Sequence, residues 1–175
     1  AQTSAKDIAR LGNDLTPLGG EKAGNAAGTI PAWDGGIKTP PAGYKPGSHY
    51  VDPFASDKVL FTITKANMDQ YAANLTPGQQ ALLKAYSTYK INVYPTRRSA
   101  SVPQRIYDKT KEIAPTAKTA ENGYGVTGAV NGIPFTAPKQ GVEVIWNHLL
   151  RYRGDSAARD IGPAGPTPQS PCTPP

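Results

Sequence analysis

An α+β domain wrapped by a long Gly- and Pro-rich strap is the fold this sequence predicts, on three observations. Pro77 and Pro103 each open an amphipathic run of helical period, at the first-turn position that proline favours. Val59-Leu60-Phe61-Thr62-Ile63 and Tyr89-Lys90-Ile91-Asn92-Val93-Tyr94-Pro95 are rich in β-branched and aromatic residues, as strands are. Between Leu15 and Tyr50 glycines and prolines recur every few residues, yet Leu18, Ile30, Trp33, Ile37, Tyr44 and Tyr50 are spaced among them. Disordered segments lack such large apolar residues. An ordered, extended strap that pins aromatics onto the domain is therefore expected, with a flexible linker as the alternative.

Taken in order, residues 3–11 read as a short helix capped by Thr3 or Ser4, with Ile8 and Leu11 on one face and Gly12 placed to end it. The strap follows, and residues 59–63 are the best strand of the first half. A helix over 68–73 is expected with Thr64 as its cap. Thr76-Pro77-Gly78-Gln79 is the clearest local signal: Thr76 caps, Gln79 completes the capping box, and Leu82, Leu83 and Tyr86 form the inward stripe. After the strand near 89–95, residues 103–113 form a second Pro-started helix with Ile106, Thr110 and Ile113 in line. Residues 122–132 read as a loop and 133–138 as an extended apolar turn. Gly141 to Arg153 carries a strong helical pattern in which Val142, Ile145, Trp146, Leu149 and Leu150 make one wide apolar face.

The domain is thus expected over 1–154, with helix and strap in 1–50 and the α+β portion in 51–154. Residues 155–175 contrast with it: six prolines fall between Pro163 and Pro175, a density no helix or inner strand survives. A disordered tail foreign to the fold is expected there.

Composition sets further bounds. A chain of 175 residues fits one domain. Only thirty residues are Leu, Ile, Val or Phe, against 18 Gly and 18 Pro, so the core is small. The formal charge of +6 gives a weak attraction to anionic surfaces. Aromatics do not interleave with the basic residues as in single-strand RNA readers, so no nucleic-acid partner is expected. The one cysteine, Cys172, lies in the tail, which leaves no disulfide within a chain and no cysteine metal site. No stretch approaches the length of apolar chain needed to span a membrane as a helix. The start Ala1-Gln2-Thr3-Ser4-Ala5 has the form left when a signal peptide is removed, and equally that of a trimmed chain.

Chemistry-bearing patterns are few. His49 and His148 are a hundred residues apart with no ligand spacing around them. Ser99 follows Arg98 without an evident base, and no Gly-x-Ser-x-Gly occurs. Gly123, Gly125 and Gly128 lack the setting of a nucleotide loop. No cofactor, metal or catalytic set is expected. Arg97, Arg98, Arg105, Lys109 and Lys111 concentrate positive charge over a strand end and a helix, as contacts for an anionic headgroup or partner, or as a solvated face with internal ion pairs. Trp33, Phe61, Tyr94, Phe135, Trp146 and Tyr152 are the aromatics available to line an apolar pocket, or else to build the core.

Several segments carry a resemblance. Leu15-Thr16-Pro17-Leu18-Gly19, Glu21-Lys22-Ala23-Gly24-Asn25, Gly28-Thr29-Ile30-Pro31-Ala32-Trp33 and Asp52-Pro53-Phe54-Ala55 resemble the signature of a Gram-negative envelope family, domain of unknown function 1329. So do Tyr94-Pro95-Thr96-Arg97-Arg98, Pro134-Phe135 with Pro138-Lys139, and Trp146-Asn147-His148-Leu149 with Arg151-Tyr152-Arg153-Gly154. The resemblance implies a periplasmic or outer-membrane-associated protein. It implies a fold similar to the lipoprotein carriers LolA and LolB: a curved antiparallel half-barrel sheet with helices packed on its concave apolar face, here only its N-terminal part. It implies lipid or another hydrophobic molecule as cargo, with an outer-membrane protein and an RND-type exporter as partners. The family supplies no catalytic residues to carry over. Beyond residue 154 its members continue into further strands, whereas a Pro-rich run stands here, as in a shifted or early-ended reading frame. Non-enzymatic binding or transfer of hydrophobic cargo between envelope membranes is thus the expected function, impaired by truncation. An adaptor that docks an outer-membrane partner is the first rival, and a hydrolase of lipids or glycans the second.

Overall fold

The computed structural model describes residues 3–156, 158, 161 and 162, so most of the expected tail lies outside the described residues. Helix α1 spans Ala5–Arg10, and Ser4 caps it by accepting the Asp7 N–H at 3.2 Å. Gly12 takes φ +84° beyond its end, a conformation that a side chain would oppose. The strap then runs without a regular strand, tied by isolated bridges of Leu15 to Leu11 and to Glu21.

Strand β1 (Phe61–Ile63) pairs antiparallel with β2 (Ile91–Val93), placing Phe61 opposite Val93 and Ile63 opposite Ile91. Between them lie a 3₁₀ helix, Met68–Asn74, and helix α2, Pro77–Ala85. The α2 capping box forms as the sequence predicts: Thr76 accepts the Gln79 N–H at 3.2 Å and Gln79 accepts the Thr76 N–H at 2.9 Å. Ile63, Met68 and Leu83 form one core, against which Tyr71, Leu75, Tyr89, Ile91 and Val93 pack. Of the expected α2 stripe only Leu83 is buried; Leu82 and Tyr86 are exposed. The expected cap at Thr64 is also displaced. Asn67 holds the N-cap, and its side chain reaches back to accept the Thr64 N–H at 2.7 Å.

Helix α3 (Gln104–Ile113) buries Ile106, Thr110 and Ile113, the line its period predicts. Thr110 is fully buried because its hydroxyl has two backbone partners: it donates to Ile106 O at 2.8 Å and accepts the Ile133 N–H at 3.2 Å. The 122–132 region is more than a loop. Strands β3 (Lys118–Thr119) and β4 (Val126–Thr127) pair across it. Helix α4 (Gly141–Leu149) ends four residues sooner than its pattern predicts.

The expected curved half-barrel is not present. Among the described residues there are two separate two-stranded sheets, β1–β2 and β3–β4, neither curled nor closed. The physical reason lies in strand length and punctuation. A concave sheet needs several longer strands in register. Here Pro95, Pro103, Pro134 and Pro138 break the extended runs, and the pairs reach only three and two residues per strand.

α4 overturns a second expectation. Only part of its expected apolar face is inward: Val142 and Trp146 are half-buried beside Glu143, which is 1% exposed, whereas Ile145, Leu149 and Leu150 are 59%, 49% and 45% exposed.

Candidate strap cleft

The strap is fastened across the segment that follows β2. Arg98 donates through Nη2 to Glu21 O at 2.5 Å, and through Nη1 to Lys22 O at 3.2 Å, Pro31 O at 3.3 Å and Ala23 O at 3.4 Å. The Ile37 N–H donates to Ser99 O at 2.9 Å, and Trp33 Nε1 donates to Ala100 O at 3.0 Å. Gly36, at φ +69°, lies so close to Ala100 O that a Cβ would collide with it. Glycine is required there on both counts.

This fastening leaves a cleft of about 770 Å³ between strap and α3, continuous in its lining with a smaller one of about 260 Å³ through Pro17, Trp33 and Tyr107. Trp33 meets Tyr107 edge to face, ring centroids 6.5 Å apart, a favoured aromatic geometry. The Tyr107 hydroxyl accepts the Val102 N–H at 3.1 Å, which fixes its ring in the wall. Lys22 and Lys38 line the same cleft, with Asp34. Among the described residues neither lysine has an ion-pair partner, so the cleft carries two positive charges and one negative, Asp34, in a wall of mixed polar and apolar character.

Of the expected cationic set, the cleft gathers Arg97 and Arg98 beside Trp33, but their charges are engaged. Arg97 pairs with Asp57, Nε to Oδ2 at 2.9 Å with a second, short contact from Nη2 to Oδ1, and its guanidinium lies 5.2 Å from the Phe54 ring centroid. The hydrogen bond from Arg97 holds the Asp57 carboxyl below the usual aspartate pKa. Arg98 is spent on the strap. Arg105 stands elsewhere, on Asp155 at 2.7 Å and the Tyr152 hydroxyl at 2.9 Å. Lys109 pairs with Glu112 at 2.8 Å. Lys111 is exposed and unpaired among the described residues.

The expected aromatics also separate. Trp33 alone belongs to the cleft. Phe61 stacks on Tyr71 at 4.9 Å. Tyr94 is exposed, and Phe135 is 2% exposed in the interior. Trp146 Nε1 donates to Gly123 O at 2.8 Å, and Tyr152 lies under Arg105. Lys22, Lys38 and Tyr107 are the cleft residues that sequence reasoning missed. Strap and helix are separated by some seventy residues, and no periodicity links them.

Glu143 forms a second notable centre. It accepts the Lys139 N–H at 2.6 Å and the Gln140 N–H at 3.2 Å. Burial acts to raise its pKa, but hydrogen bonds to the carboxylate, these among them, outweigh burial and hold it below the usual glutamate value. Among the described residues no group of three His, Cys, Asp or Glu side chains is placed to hold a metal. Among them, too, no helix is long and apolar enough to cross a membrane.

Comparison with known proteins gives a consistent relationship. The chain is 50% identical over 167 residues to the uncharacterized protein PA3922 of Pseudomonas aeruginosa, an alignment covering 95% of this chain and 37% of that protein. The chain therefore spans just over a third of the length of this curated relative. No solved structure matches the present chain. Residues 62–173 match the family described as "Protein of unknown function (DUF1329)", a match that runs on past residue 154. With well over half of its length in that match, the chain belongs to the DUF1329 family.

Proposed function

We propose that this chain is a non-catalytic binding domain of the Gram-negative periplasm that takes a hydrophobic, lipid-like molecule bearing an anionic group. The supporting observation is the strap cleft: a Trp33–Tyr107 wall with Pro17 and Val102, lined also by Asp34 and by Lys22 and Lys38, which have no ion-pair partner among the described residues. Apolar area removed from water supplies roughly 25 cal/mol per Å², and the lysines orient the charged end. A cleft of this size lies within the range that holds small ligands. No covalent step is needed for such a role. An outer-membrane protein and an RND-type exporter are the partners with which such cargo would be exchanged.

The test uses a dansylated long-chain carboxylic acid and its uncharged methyl ester as probes, titrated against the chain by fluorescence. Exposed ion pairs are worth up to about 1 kcal/mol each, so replacing both Lys22 and Lys38 by alanine weakens the acid about tenfold and leaves the ester unchanged. The effect shrinks as salt rises. Equal affinity of the double variant for the acid would refute the reading.

A further inference from the structure

α4 turns Glu143 and Asn147 inward together with Val142 and Trp146, and leaves an apolar stripe facing outward. Glu143 is buried on the backbone of Lys139 and Gln140. Asn147 grips both polar groups of Phe135, accepting its N–H at 2.9 Å and donating to its carbonyl at 2.7 Å. Trp146 anchors to Gly123 O. The opposite side carries Val144, Ile145 and Leu149, 54%, 59% and 49% exposed, with His148 between them. At 100° per residue, positions 144, 145, 148 and 149 fall within an arc of about 140°, so they form one continuous stripe. Scattered exposed aliphatics are ordinary, but a contiguous helical stripe of them marks a contact surface.

We propose that, in longer proteins of this family, this stripe is covered by the part of the polypeptide that the present chain does not represent. The first support is length. The relative is 50% identical across nearly the whole of this chain, yet the chain spans only 37% of it. Most of that protein is therefore covalently linked to the region that matches this chain, at the high effective concentration such a link provides. The second support is chemistry. The stripe bears no Lys, Arg, Asp or Glu. The nearest cations, Arg151 and Arg153, turn back to the helix end, donating to His148 O at 2.5 Å and Leu149 O at 3.5 Å. An uncharged stripe fits the dry apolar face of another protein segment better than it fits an anionic lipid surface.

Thiol accessibility tests this. Ile145→Cys is made in this chain together with Cys172→Ser, and the aligned α4 position is changed to cysteine in full-length PA3922. Maleimide labelling rates are each divided by the rate in guanidinium. The expected result is labelling at least tenfold slower in the full-length relative than in this chain. Equal relative rates in the two proteins overturn the proposal. So does slow labelling of this chain that becomes fast on dilution, which assigns the stripe to a second copy. Slow labelling of this chain only in the presence of phosphatidylglycerol vesicles, which assigns it to lipid, overturns it too.

Discussion

Replacing Arg98 by alanine should release the strap while leaving the remainder of the fold in place. Arg98 donates to four strap carbonyls, but only those of Glu21 at 2.5 Å and Lys22 at 3.2 Å are close; Pro31 and Ala23 stand at 3.3 and 3.4 Å. Hydrogen bonds from a charged donor are worth roughly 1.5–3 kcal/mol when buried. The strap is largely exposed, so water recovers part of that in the variant. About 1 kcal/mol for each of the two close bonds gives a local loss of ~2 kcal/mol, or about thirtyfold in the opening equilibrium at 1.4 kcal/mol per tenfold. Native-state hydrogen exchange reads this at two amides the strap uses: Trp33 N–H, bonded to Lys22 O at 2.8 Å, and Ile37 N–H, bonded to Ser99 O at 2.9 Å. Both should exchange about thirtyfold faster in Arg98→Ala, whereas the amide of the buried Leu83 should not change. Arg98→Lys keeps the charge without the fork and should recover less than half of the effect. Trp33 and Ile37 amides exchanging within twofold of the parent would refute the clamp.

Three further outcomes follow from the same structure. Asn147→Ala strips both partners from the buried Phe135 backbone and should lower stability by about 2–4 kcal/mol in urea unfolding. Because the folded pKa of Glu143 lies below its ordinary value, the unfolded state binds the proton more readily. The contribution of Glu143 is complete above its unfolded pKa, near ~4.3, and is lost as pH falls through the folded value. Glu143→Gln should therefore be less stable by about 1–3 kcal/mol at pH 7, with a flatter acid limb in pH-dependent unfolding. Gly36→Ala sets a Cβ against Ala100 O at a positive φ and should free the strap amides in hydrogen exchange, with a local cost of about 1–3 kcal/mol.

Local chemistry was legible in the residues. The Thr76–Gln79 box, the Ser4 cap and the Ile106–Thr110–Ile113 line each depend on neighbours within one or two turns. Partners distant in sequence were not. The outward turn of α4 is decided by Glu143 and Asn147, which find backbone groups at Lys139, Gln140 and Phe135; a hydrophobic period registers only apolar spacing and so placed Ile145 and Leu149 inside. Arg98 read as a surface cation because its carbonyl partners lie 67 to 77 positions earlier. Trp33 was identified as an aromatic of interest, but its pairing with Tyr107 and the nearness of Lys22 come only from the folded strap. The curved sheet came from family resemblance rather than from the strand-forming residues of this chain, which support only short pairs.

The span bridged by Arg98 also bears on the timing of synthesis. Residues 21–37 leave the ribosome well before the side chain and carbonyls at 98–100 that will receive them. At about 5–20 residues per second the wait is on the order of several seconds, far longer than a segment of this length needs to close a loop. During that interval Trp33 and Ile37 have no docking surface, and a chaperone or protease has its widest opportunity at the N-terminal portion. The strap is accordingly docked well after it is made, although it is among the first segments to be made.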